Sequence, residues 1–295
     1  MRISSTFGLL ALGAAGVNAV GEKETSDYED DFNKLKPYTD TIKVYAASDC
    51  NTLQNIAPAL TEANFKVFLG VWPNDDAHFN AEKDALTNYL PEISVDNVKA
   101  ITVGSEALYR GDMSADDLAS KINEVRDHIK NIKDKDGKSY ESVKVGTVDS
   151  WNVLVDGGNK PAIEAADIVL ANAFSYWQGQ TMDNASYSFF DDIMQALGTI
   201  QKIKGDDVEF WVGETGWATE GGNFEASVPS VENAERFWKE GICGIRGWGI
   251  NTLVFEAFDE TWKPPTSGVD GVEQHWGFLD DEGKPKYEYK CDFDN

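Results

Sequence analysis

Histidine, cysteine and positive charge are scarce in this sequence of 295 residues. The three histidines, His78, His128 and His275, lie far apart and form no H-E-x-x-H pattern. No metal site is therefore expected, and no cofactor. There is no Gly-x-Ser-x-Gly elbow and no phosphate-binding loop, which removes serine hydrolases and nucleotide-dependent enzymes. Lysine and arginine number 26 against 51 aspartates and glutamates, a net charge of −25. Such a chain repels nucleic acid and anionic membrane surfaces, whereas a neutral polymer remains a compatible partner. The three cysteines, Cys50, Cys243 and Cys291, allow at most one internal disulfide and leave one thiol over.

Long apolar runs are also missing, except at the start. Arg2 followed by Phe7 to Val17 and the small-residue stretch Val17-Asn18-Ala19 reads as a signal peptide. This predicts that residues 1–19 are removed and that the mature chain starts at Val20. Nothing later is long enough to span a bilayer, and the C-terminal residues lack a GPI-type tail. A secreted protein without a membrane anchor is expected. Asn184-Ala185-Ser186 is an N-glycosylation sequon, which fits a surface loop of an exported protein.

What is present is an alternation of apolar runs and helical periodicity. Strands are predicted at Thr41–Ser48, Phe65–Trp72, Val98–Gly104, Val143–Asp149, Ile168–Ala173, Glu209–Gly213 and Asn251–Phe258. Several are apolar almost throughout, as strands covered on both faces are. Between them, Ser114 and Ser230 open helices, the first carrying Leu118, Ile122, Val125 and Ile129 on one stripe. Alternation at this spacing predicts one α/β domain over residues 20–295, a (β/α)8 TIM barrel. Only seven strands are found. The stretch Val20–Asp40 offers a helix instead, so the first strand is apparently missing.

Catalytic groups in such barrels project from the C-terminal ends of strands. Two apolar strands end there in glycine and glutamate: Val103-Gly104-Ser105-Glu106 and Trp211-Val212-Gly213-Glu214. A single glutamate at a strand end is more often a cap or an ion-pair partner. Two facing carboxylates are the minimum equipment for glycoside hydrolysis, one protonated and one ionised. Aromatic residues cluster at the same strand ends, among them Trp72, Trp151, Trp177, Trp217, Trp262, Tyr45, Tyr109 and Tyr176. Their faces can stack on sugar rings, although any one of them is more often core.

Several segments around these residues, including Val44-Tyr45-Ala46-Ala47-Ser48-Asp49-Cys50-Asn51-Thr52, Val103-Gly104-Ser105-Glu106-Ala107-Leu108-Tyr109-Arg110, Asn172-Ala173-Phe174-Ser175-Tyr176-Trp177-Gln178-Gly179 and Val212-Gly213-Glu214-Thr215-Gly216-Trp217, carry a resemblance. From about Thr25 to the C-terminus the chain resembles glycoside hydrolase family 17, and within it the fungal cell-wall members that act on β-1,3-glucan. The resemblance implies a retaining hydrolase and transglycosylase of fungal cell-wall glucan, with Glu106 as proton donor and Glu214 as nucleophile. It implies substrate-binding roles for Tyr45, Ser105, Tyr176, Trp177, Trp217, Glu260 and Lys263. A monomer located at the cell wall is the further expectation.

The chain departs from the family in one place. Relatives carry a first strand, and then a loop with a cysteine, ahead of the segment matching Thr25-Ser26-Asp27-Tyr28. One deletion therefore accounts for both the absent strand and the odd cysteine. On this reading Cys50 has lost its partner, and Cys243 pairs with Cys291. A gap is expected beside Thr41–Ser48, or else Phe7–Val20 fills it. Loss of the strand also keeps a second function open, a glucan-binding wall protein with impaired catalysis.

Overall fold

The computed structural model describes residues 23–280 and 282–294. Seven parallel strands follow one another in chain order across a single sheet: β1 (Thr41–Val44), β2 (Lys66–Val71), β3 (Val98–Ser105), β4 (Val145–Ser150), β5 (Ile168–Asn172), β6 (Glu209–Glu214) and β7 (Asn251–Thr252). Helices lie between them: α1 (Thr25–Leu35) precedes β1, α2 (Thr52–Ala63) and α3 (Asp76–Tyr89) follow β1 and β2, and α4 (Ala115–Ile129) follows β3. Next come α5 (Trp151–Leu154), α6 (Lys160–Ala165), α7 (Met182–Lys204), α8 (Val231–Phe237) and α9 (Cys243–Gly247). Among the described residues this is the TIM-like arrangement with one strand fewer than eight.

Alternation along the strands divides the core in two. Phe68, Ala100, Val148, Ile168, Leu170, Trp211 and Leu253 form an inner cluster enclosed by the curled sheet. Their neighbours Val67, Leu69, Ile101, Val103, Val169 and Val212 point outward into the larger core under the helices. Period-2 geometry dictates this split, because successive side chains leave opposite faces of a strand. Helix α4 packs through the expected stripe of Leu118, Ile122, Val125 and Ile129. Its first turn is closed by the Ser114 hydroxyl, which accepts from the Asp117 amide at 3.1 Å. The Ser230 hydroxyl does the same for α8, accepting from Asn233 at 3.0 Å.

The strand ladder of β7 stops at Thr252, short of the expected Phe258. Beyond it the chain still follows β6, with the Leu253 amide donating to the Val212 carbonyl and Phe255 to Thr215. Among the described residues no pairing joins β7 to β1, so the sheet has two edges. The chain before β1 forms α1, whose Phe32 stacks on Phe65 with ring centroids 4.5 Å apart. Residues 1–19, and the Phe7–Val20 stretch considered as a filler, lie outside the described residues.

Cys243 and Cys291 are bonded, and Cys50 is a free, exposed thiol. The sequon is placed differently from the expectation. Asn184 lies exposed in the first turn of α7, not in a loop, and its amide nitrogen donates to Gln180 at 2.6 Å. The tract after it supplies Ala185, Phe189 and Ile193 to the core at helical spacing, which draws the sequon into the helix. No described helix is long and apolar enough to cross a membrane.

Candidate active site

The end of β3 turns sharply to present Glu106. Gly104 has φ +77° and Glu106 itself φ +59°, in the left-handed region. Holding a glutamate there costs on the order of 1–3 kcal/mol, and such strain concentrates at functional sites. The turn is held from β4. The Glu106 amide donates to the Val148 carbonyl at 3.0 Å. The buried Asp149 carboxylate accepts from the amides of Leu108 at 2.8 Å and Tyr109 at 3.2 Å. Burial pushes the Asp149 pKa up to about 6.

Glu214 is the last residue of β6 and is buried. The glycine before it has a steric reason. A Cβ on Gly213 would lie 2.6 Å from Asn172 Oδ1 and 2.6 Å from Val148 Cγ2. Its absence lets Asn172, at the end of β5, reach across and donate from Nδ2 to Glu106 Oε1 at 3.0 Å. On its other side Glu214 meets the fully buried Lys43 of β1, with Nζ 2.6 Å from Oε1. The Ser105 hydroxyl lies 3.4 Å from the same oxygen.

These surroundings give the two carboxylates different electrostatic settings. Burial raises the Glu106 pKa, the neighbouring Glu214 charge raises it further, and the Asn172 hydrogen bond opposes the rise. Glu106 is thereby suited to carry a proton. Glu214 faces an ammonium and suits the part of an anionic nucleophile.

Both glutamates line one cleft of about 430 Å³, which Tyr109, Trp151, Phe174 and Trp177 also line. Trp177 is thus where a sugar platform was expected. Two other aromatics are not. Tyr176 is fully buried and donates its hydroxyl to the Gly222 carbonyl. Trp217 is 3% exposed, donates to Val228 O at 2.9 Å, and packs against Tyr176 and Phe237. Their faces are used in the wall behind the cleft, so neither can stack on a sugar. Tyr45 is half-buried under the Lys43 ammonium, which sits 4.6 Å from its ring centroid. Burial and the nearby Glu214 and Glu256 charges hold the Tyr45 hydroxyl well above its usual pKa.

Glu260 and Lys263 form an ion pair, and Lys263 also lies 3.7 Å from Glu273, which lines the cleft. Buried Glu256 stands beside Glu260. Burial and the Glu260 charge push its pKa well above the carboxylate range. Sequence reasoning missed Lys43, Asp149, Asn172 and Glu256. Lys43 carried a usable signal, a lysine flanked by Ile42 and Val44 within a predicted strand.

His78 stands with Asp49 and Glu82, their ligand atoms within 4.8 Å of one another. The Glu82 carboxylate is already engaged by the amides of Ala47 at 2.7 Å and Ser48 at 3.0 Å and by the Ser48 hydroxyl. It clamps the loop after β1, an ordinary task for a buried carboxylate.

The family profile described as glycosyl hydrolases family 17 matches residues 9–291, starting inside the segment read as a signal peptide. A glucan 1,3-beta-glucosidase of Saccharomyces cerevisiae is 58% identical over 312 positions, covering 99% of this chain and 100% of that protein. A glucan 1,3-beta-glucosidase of Candida albicans is 61% identical, covering 92% of this chain and 88% of that one. Among solved structures, the family 17 beta-1,3-glucanosyltransferase of Rhizomucor miehei superposes with a TM-score of 0.82 at 31% identity, covering 98% and 99% of the two chains. An active-site mutant of that enzyme, in complex with laminaritriose, matches with a TM-score of 0.81. With strand ends, paired glutamates and an almost full-length match in agreement, this chain belongs to glycosyl hydrolase family 17 and is a glycosidase.

Proposed function

We propose that the protein is a secreted retaining β-1,3-glucan hydrolase and transglycosylase that remodels fungal cell-wall glucan. Glu214 attacks the anomeric carbon while Glu106 protonates the departing oxygen. Water or another glucan hydroxyl, deprotonated by Glu106, then releases the sugar with its configuration retained. The observation that carries this reading is the placement of both carboxylates on one aromatic-lined cleft in distinct electrostatic settings. The substrate rests on the relatives, since an enzyme 58% identical over nearly the whole chain is named for 1,3-β-glucan.

Turnover is favoured over binding alone. Even with seven strands in the sheet, Glu106 and Glu214 reach the same cleft and keep their hydrogen-bonded supports. The test is incubation with laminarin oligosaccharides, with products separated by chromatography and their anomeric configuration followed by NMR. Shorter and longer β-configured products are expected. Retention on insoluble glucan with no new products, or α-configured products, overturns the assignment.

A further inference from the structure

Lys43 is a charged residue inside a wholly buried strand. It lies mid-β1 with no exposed surface and directs its ammonium at Glu214 Oε1, 2.6 Å away. The ammonium also sits 4.6 Å from the centroid of the Tyr45 ring. Among the described residues Lys43 is the one cation ion-paired with Glu214, while Lys263 is engaged by Glu260 and Glu273. A charge kept out of water is costly unless its partner is present. That partner is the very group whose charge is spent and regenerated in each turnover.

We propose that Lys43 is a positioning residue that drives breakdown of the glycosyl-enzyme. This rests on the reading of Glu214 as the nucleophile. Lys43 and Ser105 both approach Oε1 of the carboxylate, whose bond to the anomeric carbon makes the glycosyl-enzyme. In the first step that bond forms, the glycosidic C–O bond breaks, and the departing oxygen takes the Glu106 proton. Glu214 is then a neutral ester, and the Lys43 ammonium faces it without a counter-charge in a dry setting. In the second step a water or sugar hydroxyl gives its proton to Glu106, and its oxygen bonds to the anomeric carbon. The ester C–O bond breaks and its electron pair returns to Glu214 as carboxylate, beside Lys43.

The ammonium therefore stabilises the free enzyme and the charge developing in the second step, but not the intermediate. It slows ester formation relative to free enzyme and speeds ester cleavage. Low local dielectric makes the effect large, because few water dipoles screen the pair. Hydrolysis and transfer share this benefit, since the carboxylate is the leaving group in both.

The experiment compares the unaltered enzyme with Lys43→Met and Lys43→Gln on a dinitrophenyl β-laminaribioside, whose leaving group needs little protonation. Expected is a fall in kcat of about 100-fold, the scale set by losing one preorganised charge contact. KM should fall with it, with a burst of dinitrophenol approaching one per enzyme. Intact-protein mass should show a disaccharide adduct on the peptide containing Glu214, and added acceptor sugar should raise kcat. Lys43→Arg should restore turnover and abolish the burst. If kcat and kcat/KM fall together with neither burst nor adduct, Lys43 does not act on this step. Should Lys43→Met fail to fold, Lys43→Gln, which keeps a donor without the charge, decides by the same readouts. Labelling the unaltered enzyme with a 2-deoxy-2-fluoroglucosyl fluoride separates the two claims. Absence of label on Glu214 removes the nucleophile reading, whereas a labelled Glu214 without a burst in the variants removes only the role of Lys43.

Discussion

The side-chain amide of Asn172 donates to Oε1 of Glu106 at 3.0 Å and links the end of β5 to the carboxyl group that follows β3. A donor at that oxygen favours the ionised form and opposes the rise that burial and Glu214 impose on Glu106. On the proposed reading of Glu106 as the acid, this hydrogen bond both aims it and bears on where it loses its proton.

Replacing Asn172 with alanine removes that donor, so the Glu106 pKa rises further. The proton donor must be protonated to act, and the alkaline limb of kcat/KM follows its ionisation in the free enzyme. In Asn172→Ala that limb should move to higher pH, while activity at the optimum falls about tenfold, the worth of one well-placed hydrogen bond. The pH profile on laminarin oligosaccharides checks this. A limb that stays in place or moves to lower pH contradicts the assignment of Glu106 as the acid.

Gly213→Ala tests the same arrangement from the opposite side. The added methyl would meet the side-chain atoms Asn172 Oδ1 and Val148 Cγ2, both at 2.6 Å, in a site where Asn172 and Val148 are buried. Overpacking of this kind costs about 1–3 kcal/mol. Urea denaturation should show that loss. Activity of the folded fraction should resemble that of Asn172→Ala, because the asparagine is the group displaced. Wild-type activity in a fully folded Gly213→Ala enzyme would falsify this account of the glycine.

Exchange of the carboxylates separates their parts. Glu214→Ala should abolish turnover on oligosaccharides. Azide, filling the space left, should restore cleavage of an activated aryl glycoside and yield a glycosyl azide of inverted configuration. Glu106→Gln should lose roughly 10²–10⁴-fold on glucan while keeping much of its activity on aryl substrates that need little protonation. Equal losses on both substrates would mean that Glu106 serves something other than proton donation.

Glu106 and Glu214 were legible because an apolar run that ends in glycine and glutamate fixes a carboxylate at a known end of a barrel strand. The strands themselves were legible for a related reason. Covered on both faces, they carry no polar alternation, and their ends are marked by glycine, serine and aspartate. The aromatics were less readable. Trp177 and Trp217 each follow a strand, yet one lines the cleft and the other is packed behind it. That difference depends on the loops around Gly222 and Val228, whose carbonyls capture the buried Tyr176 hydroxyl and Trp217 indole. Such long-range partners have no local signature. Asn172 stands in a segment that carries the family resemblance, but its contact with Glu106 was not readable, since that contact exists only through a residue on a different strand.

Among the described residues the sheet is one strand short of a closed eight-stranded barrel. The 312 aligned positions shared with the Saccharomyces cerevisiae relative exceed the 295 residues of this chain, so that relative carries residues with no counterpart here. The described sheet has edges at β1 and β7, and the exposed Cys50 has no disulfide partner. Unpaired strand edges invite association, and a free surface thiol invites oxidation. Thiol titration of the native protein should find one reactive group per chain, at Cys50. A chimera that carries the relative's segment ahead of Thr25 should have none. It should gain the stability of a further disulfide, about 2–4 kcal/mol, together with paired strand edges. For a domain of this size that corresponds to a rise in melting midpoint on the order of 10 °C. A chimera that loses the thiol but melts no higher would show that the sheet is already completed by other means. One that keeps the thiol would place the missing cysteine elsewhere.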